Sequence, residues 1–295
     1  SAYFNYLKAS QLLDVARSNL MSSQQQLALA EQKYELGSAK KTDLLKAEVR
    51  FGQARIDVIN NDAMLQNAYR TLKNAMGLIG TDRDFSVEEV EIPLEIIPEI
   101  DTGFELIQKF NPSVKAKQYQ ITSAELSAKI AKGSRLPTIS ANASYSGSAE
   151  NLGDAITNSF NDQKRVNTGL SISVPIFSGN SISTRIQQAK IAVDKQESEY
   201  LTQLQDLSVQ LQSMVDQLNN YQEIIPINET VLISAEEDLK LAQVRYTQGS
   251  TIILEVLDAQ VSVVRARSSL IRSKYDAYIE QANLKALLGT LDTNK

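Results

Sequence analysis

The chain has 295 residues, 42% of them hydrophobic, with no Cys, no His and no Trp, and a formal charge of 30 − 35 = −5. Missing thiols and imidazoles remove the usual nucleophiles, general bases and metal ligands of enzymes, and the lack of a basic stripe argues against nucleic acid as a partner. No apolar run approaches the roughly 20 residues of a membrane-spanning helix, so any meeting with a bilayer has to be made by strands.

With only 6 Pro and 12 Gly and long stretches rich in Ala, Leu, Gln and Ser, the composition favours long helices. Residues 1–77 read as a helix, a tight turn at "KYELGS" (Lys33 to Ser38) and a second helix folded back, with Gly37 permitting the reversal. The segment 78–110 is strongly acidic: between 78 and 101, eight carboxylates face only Arg83, a local charge of −7. Residues 111–137 return to helical spacing.

From Pro137 the period changes from helical to alternating. In "TISANASYSGS", Ile139, Ala141, Ala143 and Tyr145 alternate with small polar residues; in "TGLSISVPIF", Leu170, Ile172 and Val174 do the same. Both runs match the roughly 9 to 11 residues of a tilted membrane strand, and the hydrophilic connection from about 149 to 166 suits an outer loop. A soluble hairpin lying on a helix shows the same alternation. In lipid, two strands need further chains to close the ring, since their outer backbone groups otherwise lack partners.

Residues 181–244 form one helical stretch in which Leu204, Leu211, Leu218 and Ile225 recur every seven residues. At roughly 1.5 Å per residue it reaches about 95 Å, and Pro226 is expected to bend or break it. After "RYTQGS" (Arg245 to Ser250) a returning helix carries two apolar stripes. One runs through Leu254, Leu257, Val261, Val264, Ser268, Ile271, Tyr275, Tyr278 and Ala282, the other through Val256, Ala259, Val263, Ala266, Leu270 and Ala277. Two stripes call for two neighbours, as in the wall of a cylinder, although wide apolar faces also occur in ordinary bundles.

The two turns are copies. Placing Tyr34 on Tyr246 requires a shift of 246 − 34 = 212, which also aligns Ala30 with Ala242, Asp43 with Glu255, Leu45 with Leu257, Ala47 with Ala259, and "LKNAMG" at 72–77 with "LKALLG" at 284–289. The chain therefore contains two structural repeats. Long helices that need two flanks, together with orphan strands, predict a symmetric oligomer whose strands close a barrel and whose helices close a tube.

These features resemble the TolC-like outer-membrane efflux and secretion factors. The resemblance rests on the repeated A-x-x-[KR]-Y-x-x-G-S turns, "NPSV" at 111–114, "RLPTIS" at 135–140, "VPIFSGN" at 174–180 and "ALLGT" at 286–290, and it covers nearly the whole chain. It implies a mainly α fold of very long antiparallel coiled-coil helices forming an α-barrel wall, plus a β-hairpin of an outer-membrane barrel. Residues 1–77 and 178–289 then supply the hairpins of a periplasmic barrel, 78–110 an equatorial collar, 111–137 a further helix, 138–177 the membrane hairpin and 290–295 a tail.

The implied function is that of a homotrimeric exit duct for small molecules or proteins, in contact with outer-membrane lipid and opened when a periplasmic adaptor and an inner-membrane pump engage it. No cofactor is implied. The turn residues Tyr34, Leu36, Gly37, Ser38, Gln248, Gly249 and Ser250 would meet the adaptor, Glu255 and Asp258 would form an acidic ring in the lumen, and Asp43 and Tyr246 would make closed-state contacts. Thr251 stands where an Arg can join that lock. Shifted by 212, Ser1 falls on Ser213, so the first repeat has no strand pair in the chain, and the sequence reads as an N-terminally truncated piece. A periplasmic coiled-coil scaffold without a pore is the competing expectation.

Overall fold

The computed structural model describes residues 1–78, 85, 87–88, 97–147 and 164–291. Asp82, Asp84, Glu89, Glu91 and Glu95 of the acidic stretch, the connection 148–163 and most of the 290–295 tail lie outside the described residues. In chain order the elements are α1 (Ala2–Glu35), α2 (Lys41–Ala75), α3 (Ile100–Phe110), α4 (Pro112–Gly133), β1 (Thr138–Gly147), β2 (Lys164–Ser173), α5 (Ser181–Thr247) and α6 (Ile253–Leu288). Among the described residues no helix is long and apolar enough to cross a membrane.

The chain divides into two compact units, and the first comprises Ser1–Asn111 with Leu207–Lys295. Here α1 packs along both α2 and α6. Small residues let the backbones approach: Ala30, Ala47, Ala242 and Ala259 are all at most 5% exposed and share one cluster with Leu44, Tyr246, Ile253, Val256 and Leu257. On α6, Val256, Ala259, Val263, Ala266 and Ala277 of one stripe are buried within the chain and Leu270 of the same stripe is half-buried. The stripe beside it is mixed: Leu257 and Tyr275 are buried, whereas Leu254, Val261, Val264, Ser268, Ile271, Tyr278 and Ala282 are half-buried.

In this unit, the segment of α5 beyond Asp206 buries Leu207, Leu211, Val215 and Leu218. It is tied to α6 by the ion pairs Glu229–Lys274 and Glu236–Arg267 and by the Asn228 amide donating to Ser273 Oγ at 3.1 Å. Such half-exposed ion pairs contribute about 0–1 kcal/mol each, so the leucines dominate. α3 buries Ile107 completely. At its end the buried Asn111 donates through Nδ2 to the Leu287 carbonyl at 2.7 Å.

Of the bend or break expected at Pro226, the break does not occur: α5 is continuous from Ser181 to Thr247. Pro226 and Gln222, whose carbonyl loses its donor to the ring, both sit on an exposed face where water can take that carbonyl.

The second unit is Pro112–Asp206. Its helix α4 opens on Pro112, a residue suited to the first helical position because its missing N–H would have no partner there. Lys117 pairs with Glu199 at 2.8 Å, which holds the Glu199 carboxyl below its usual range through that hydrogen bond and charge. The two strands form one antiparallel ribbon in which Ile139 faces Ile172, Ala141 faces Leu170, Ala143 faces Thr168 and Tyr145 faces Val166.

Strand β2 differs from the expected 168–177. It begins at Lys164 and stops at Ser173. The early start follows from register, since Tyr145 takes Val166 as its partner, a residue the sequence reading left in the connection. Its end follows from Val174-Pro175: proline has no N–H for a ladder, and Gly179 and Asn180 then turn the chain through positive φ into α5.

Candidate functional site

The two Gly turns are the same object built twice. In the first, Leu36 caps α1, Gly37 N–H donates to the Tyr34 carbonyl at 2.9 Å and Ser38 N–H to the Lys33 carbonyl at 2.8 Å. In the second, Gly249 N–H donates to the Tyr246 carbonyl at 3.1 Å and Ser250 N–H to the Arg245 carbonyl at 2.9 Å. This is the Schellman pattern, which needs a left-handed residue after the cap; Gly37 and Gly249 sit at φ 71° and 77°, where a Cβ is penalised. The Ser hydroxyls add a second bond to the same carbonyls, at 2.9 Å for Ser38 and 3.1 Å for Ser250. The carbonyl that receives both bonds belongs to a basic residue each time, Lys33 or Arg245, whose charge also suits the negative helix C-terminus.

The helices that follow start alike. Lys40 and Ile252 are extended N-cap residues without a side-chain cap, and Asp43 and Glu255 supply the acid in the first turn. A carboxylate there offsets the positive end of the helix by about 0.3–1 kcal/mol. Glu255 lies 3.5 Å from Arg245 across the turn, and Asp258 lies 3.5 Å from Arg50 on α2. Both acids are exposed, yet each has a cation at hand within its own chain. The acidic ring that the resemblance implies thus has an arginine beside each acid, which the sequence pattern does not show.

The environments of the two tyrosines differ sharply. Tyr34 is 40% exposed and Tyr246 only 7%. Burial, with Asp43 nearby, pushes the Tyr246 phenol above its usual range, and its hydroxyl has no hydrogen-bond partner among the described residues. Asp43 thus reaches Tyr246 through its field rather than through a hydrogen bond in this structure. The direct contact comes from Lys33, whose Nζ donates to the Tyr246 carbonyl at 2.6 Å and stands 3.9 Å from the centre of its ring. Lys33 therefore links the first turn to the second. Only the [KR]-Y pairing in the repeated motif hinted at it.

Position 36 differs in kind between the copies: Leu36 is 75% exposed and its mate is the polar Gln248. On the hairpin, one face of the ribbon is entirely apolar apart from Thr168, and Ile139, Tyr145, Val166, Leu170 and Ile172 are all 60% exposed or more. The opposite face carries Ser140, Asn142, Ser144 and Ser146 against Ser171, Gly169, Asn167 and Arg165.

A family model described as "Outer membrane efflux protein" matches residues 1–78 and 105–290. The chain belongs to the outer membrane efflux protein family. Membership places it among proteins of the outer membrane. Outer membrane protein TolC of Vibrio cholerae is 24% identical over 98% of this chain and 66% of its own length. Alkaline protease secretion protein AprF of Pseudomonas aeruginosa is 24% identical over 99% of this chain and 60% of its own. A crystal structure of a Pseudomonas aeruginosa membrane protein superposes with a TM-score of 0.80 at 22% identity, covering 98% of this chain and 64% of that one. The chain thus spans about 60 to 66% of the length of these proteins.

The mainly α fold with its β-hairpin agrees with the efflux-protein fold. Within it, the structure gathers Tyr246, Asp43 and the core of Ala30, Leu44, Ala47 and Ala242 at the base of the turns. Glu255 and Asp258 lie on the α6 turns that follow. Among the described residues no group of His, Cys, Asp or Glu could hold a metal ion.

Proposed function

We propose that this chain forms part of the wall of a passive exit duct of the outer membrane, with three copies closing the ring. One observation carries the reading. Leu45, Val49, Ile56 and Ile59 form a helical stripe on α2 that is 46 to 70% exposed. Shifted by 212, the same positions are Leu257, Val261, Ser268 and Ile271 on α6, which are buried or half-buried within the chain. A stripe that packs in one repeat and is bare in the other calls for the next copy's helix to complete it. The exposed apolar face of the hairpin supports the same arrangement, since two strands need neighbours from other copies to satisfy their edges in lipid.

In this reading, residues 1–77 and the helices of 178–289 wall the periplasmic tube and 138–177 enters the membrane barrel. The turns at Tyr34, Leu36, Gly37, Ser38, Gln248, Gly249 and Ser250 form a repeated rim for the tips of a periplasmic adaptor, itself coupled to an inner-membrane pump. Glu255 and Asp258 face the lumen, where threefold repetition would concentrate carboxylates even with Arg245 and Arg50 beside them. Tyr246, Asp43 and Lys33 hold the mouth closed until docking separates the hairpins. No step of the transport requires chemistry from the chain.

AprF is named for protease secretion, and V. cholerae TolC as an outer membrane protein; the duct architecture serves export of either proteins or small molecules. The test is planar-bilayer recording with the full-length protein together with its mass in detergent. A trimer with discrete conductance steps is expected. A monodisperse monomer that never conducts would support the pore-free scaffold instead.

A further inference from the structure

Between α1, α2 and α6 lies a cavity of about 160 Å³ whose lining mixes polar and apolar side chains. Asn19, Ser23 and Gln26 of α1 line it with Arg50, Gln53 and Asp57 of α2 and Gln260 of α6, beside the apolar Leu257 and Val261. Gln26 is 9% exposed and Gln260 8%. Gln260 Nε2 donates to Asn19 Oδ1 at 3.2 Å. Three further amide atoms, Gln26 Nε2, Gln26 Oε1 and Gln260 Oε1, have no hydrogen-bond partner among the described residues. Gln26 also lines a neighbouring cavity of about 270 Å³ that contains Tyr246, whose hydroxyl is likewise without a partner among the described residues. The repeat mates of Gln26 and Gln260 are Asp238 and Glu48, both exposed. These positions are polar in both repeats and buried in only one.

Buried amides require partners, and the partner here must accept from one nitrogen and donate to two oxygens within a space of a few solvent molecules. Water meets that requirement; at about 30 Å³ per molecule the cavity holds at most roughly five. A cation fits poorly, because the Arg50 guanidinium is itself part of the lining and the lining carboxylate, Asp57, already accepts from Gln53 Nε2 at 3.1 Å. We propose that Gln26 and Gln260 anchor a cluster of buried water between the first hairpin and α6. Water-mediated contacts re-form at low cost when two surfaces shift, so this level of the hairpin is a joint that slides, in contrast to the close Ala30 and Ala242 packing below it. That mechanical consequence rests on the duct reading; the water site does not.

A crystal structure of the full-length protein, at a resolution that shows ordered solvent, tests it. Solvent peaks at hydrogen-bonding distance from all three amide atoms are expected, and in Gln26→Met the peaks on residue 26 should vanish while the one on Gln260 Oε1 persists. Direct bonds between the two amides, a dry cavity, or elongated density from a larger molecule would each overturn the proposal. Conductance plays no part in this measurement, so its outcome and that of the bilayer recording can fail independently.

Discussion

The two turns share a backbone and differ in nearly everything around it. Gly37 and Gly249 have the same left-handed φ and the same pair of closing hydrogen bonds, but Tyr246 is buried where Tyr34 stands in solvent, and Leu257 is buried where Leu45 is bare. The motif therefore encodes the reversal itself. Burial is set by which helices happen to flank each copy, and the second copy lies inside the chain's own packing whereas the first presents one flank outward.

Removing the two rings should give the largest contrast between the turns. Tyr246→Ala should cost about 3–5 kcal/mol, as for other buried aromatics, and Tyr34→Ala well under 1 kcal/mol; equal losses in denaturant unfolding would mean that the two sites are equivalent after all. The glycines should behave oppositely. Gly37→Ala and Gly249→Ala put a Cβ on the same left-handed backbone, so each should cost about 1–2 kcal/mol, and a clear difference between them would show that the turns are not copies.

The legible part of the molecule was that which repeats or alternates. The shift of 212 exposed both turns, and the alternation around Ile139 and Leu170 exposed the ribbon. A repeat cannot say which of its copies is covered, because Tyr34 and Tyr246 sit in matching motifs. Nor does sequence show how long side chains cross between elements: Lys33 reaching Tyr246, Arg50 reaching Asp258 and Asn19 reaching Gln260 span more than two hundred residues. Pro226 interrupts no helix because the carbonyl it frees, that of Gln222, lies on an exposed face. Val166 was hidden because a strand's start is fixed by its partner's register, which the hydrophilic run before it does not display.

Lys33 sharpens the comparison further. Lys33→Met removes a charge-assisted bond and a ring contact and should cost about 1–2 kcal/mol, whereas Arg245→Met, which loses an exposed pair with Glu255, should stay within about 0.5 kcal/mol. Comparable effects would place the inter-hairpin link elsewhere. The smallest effect concerns pH. Because the folded Tyr246 phenol titrates above its usual value of 10.0, its neutral form contributes stability that is complete below that pH and is lost as pH rises through the raised value. The parent should therefore lose more stability than Tyr246→Phe above pH 10, and parallel curves would contradict the shift.

In the proposed duct α6 faces a hollow shaft. Residues 1–295 contain no cysteine, so Asp258→Cys in the full-length protein, with any cysteine outside these residues replaced by Ser, offers a single reporter. With channels open in a planar bilayer, a cationic thiol reagent added from the periplasmic side should cut the conductance in discrete steps, up to three per channel. Complete labelling of that thiol with no change in current would put residue 258 on the outside and contradict the account.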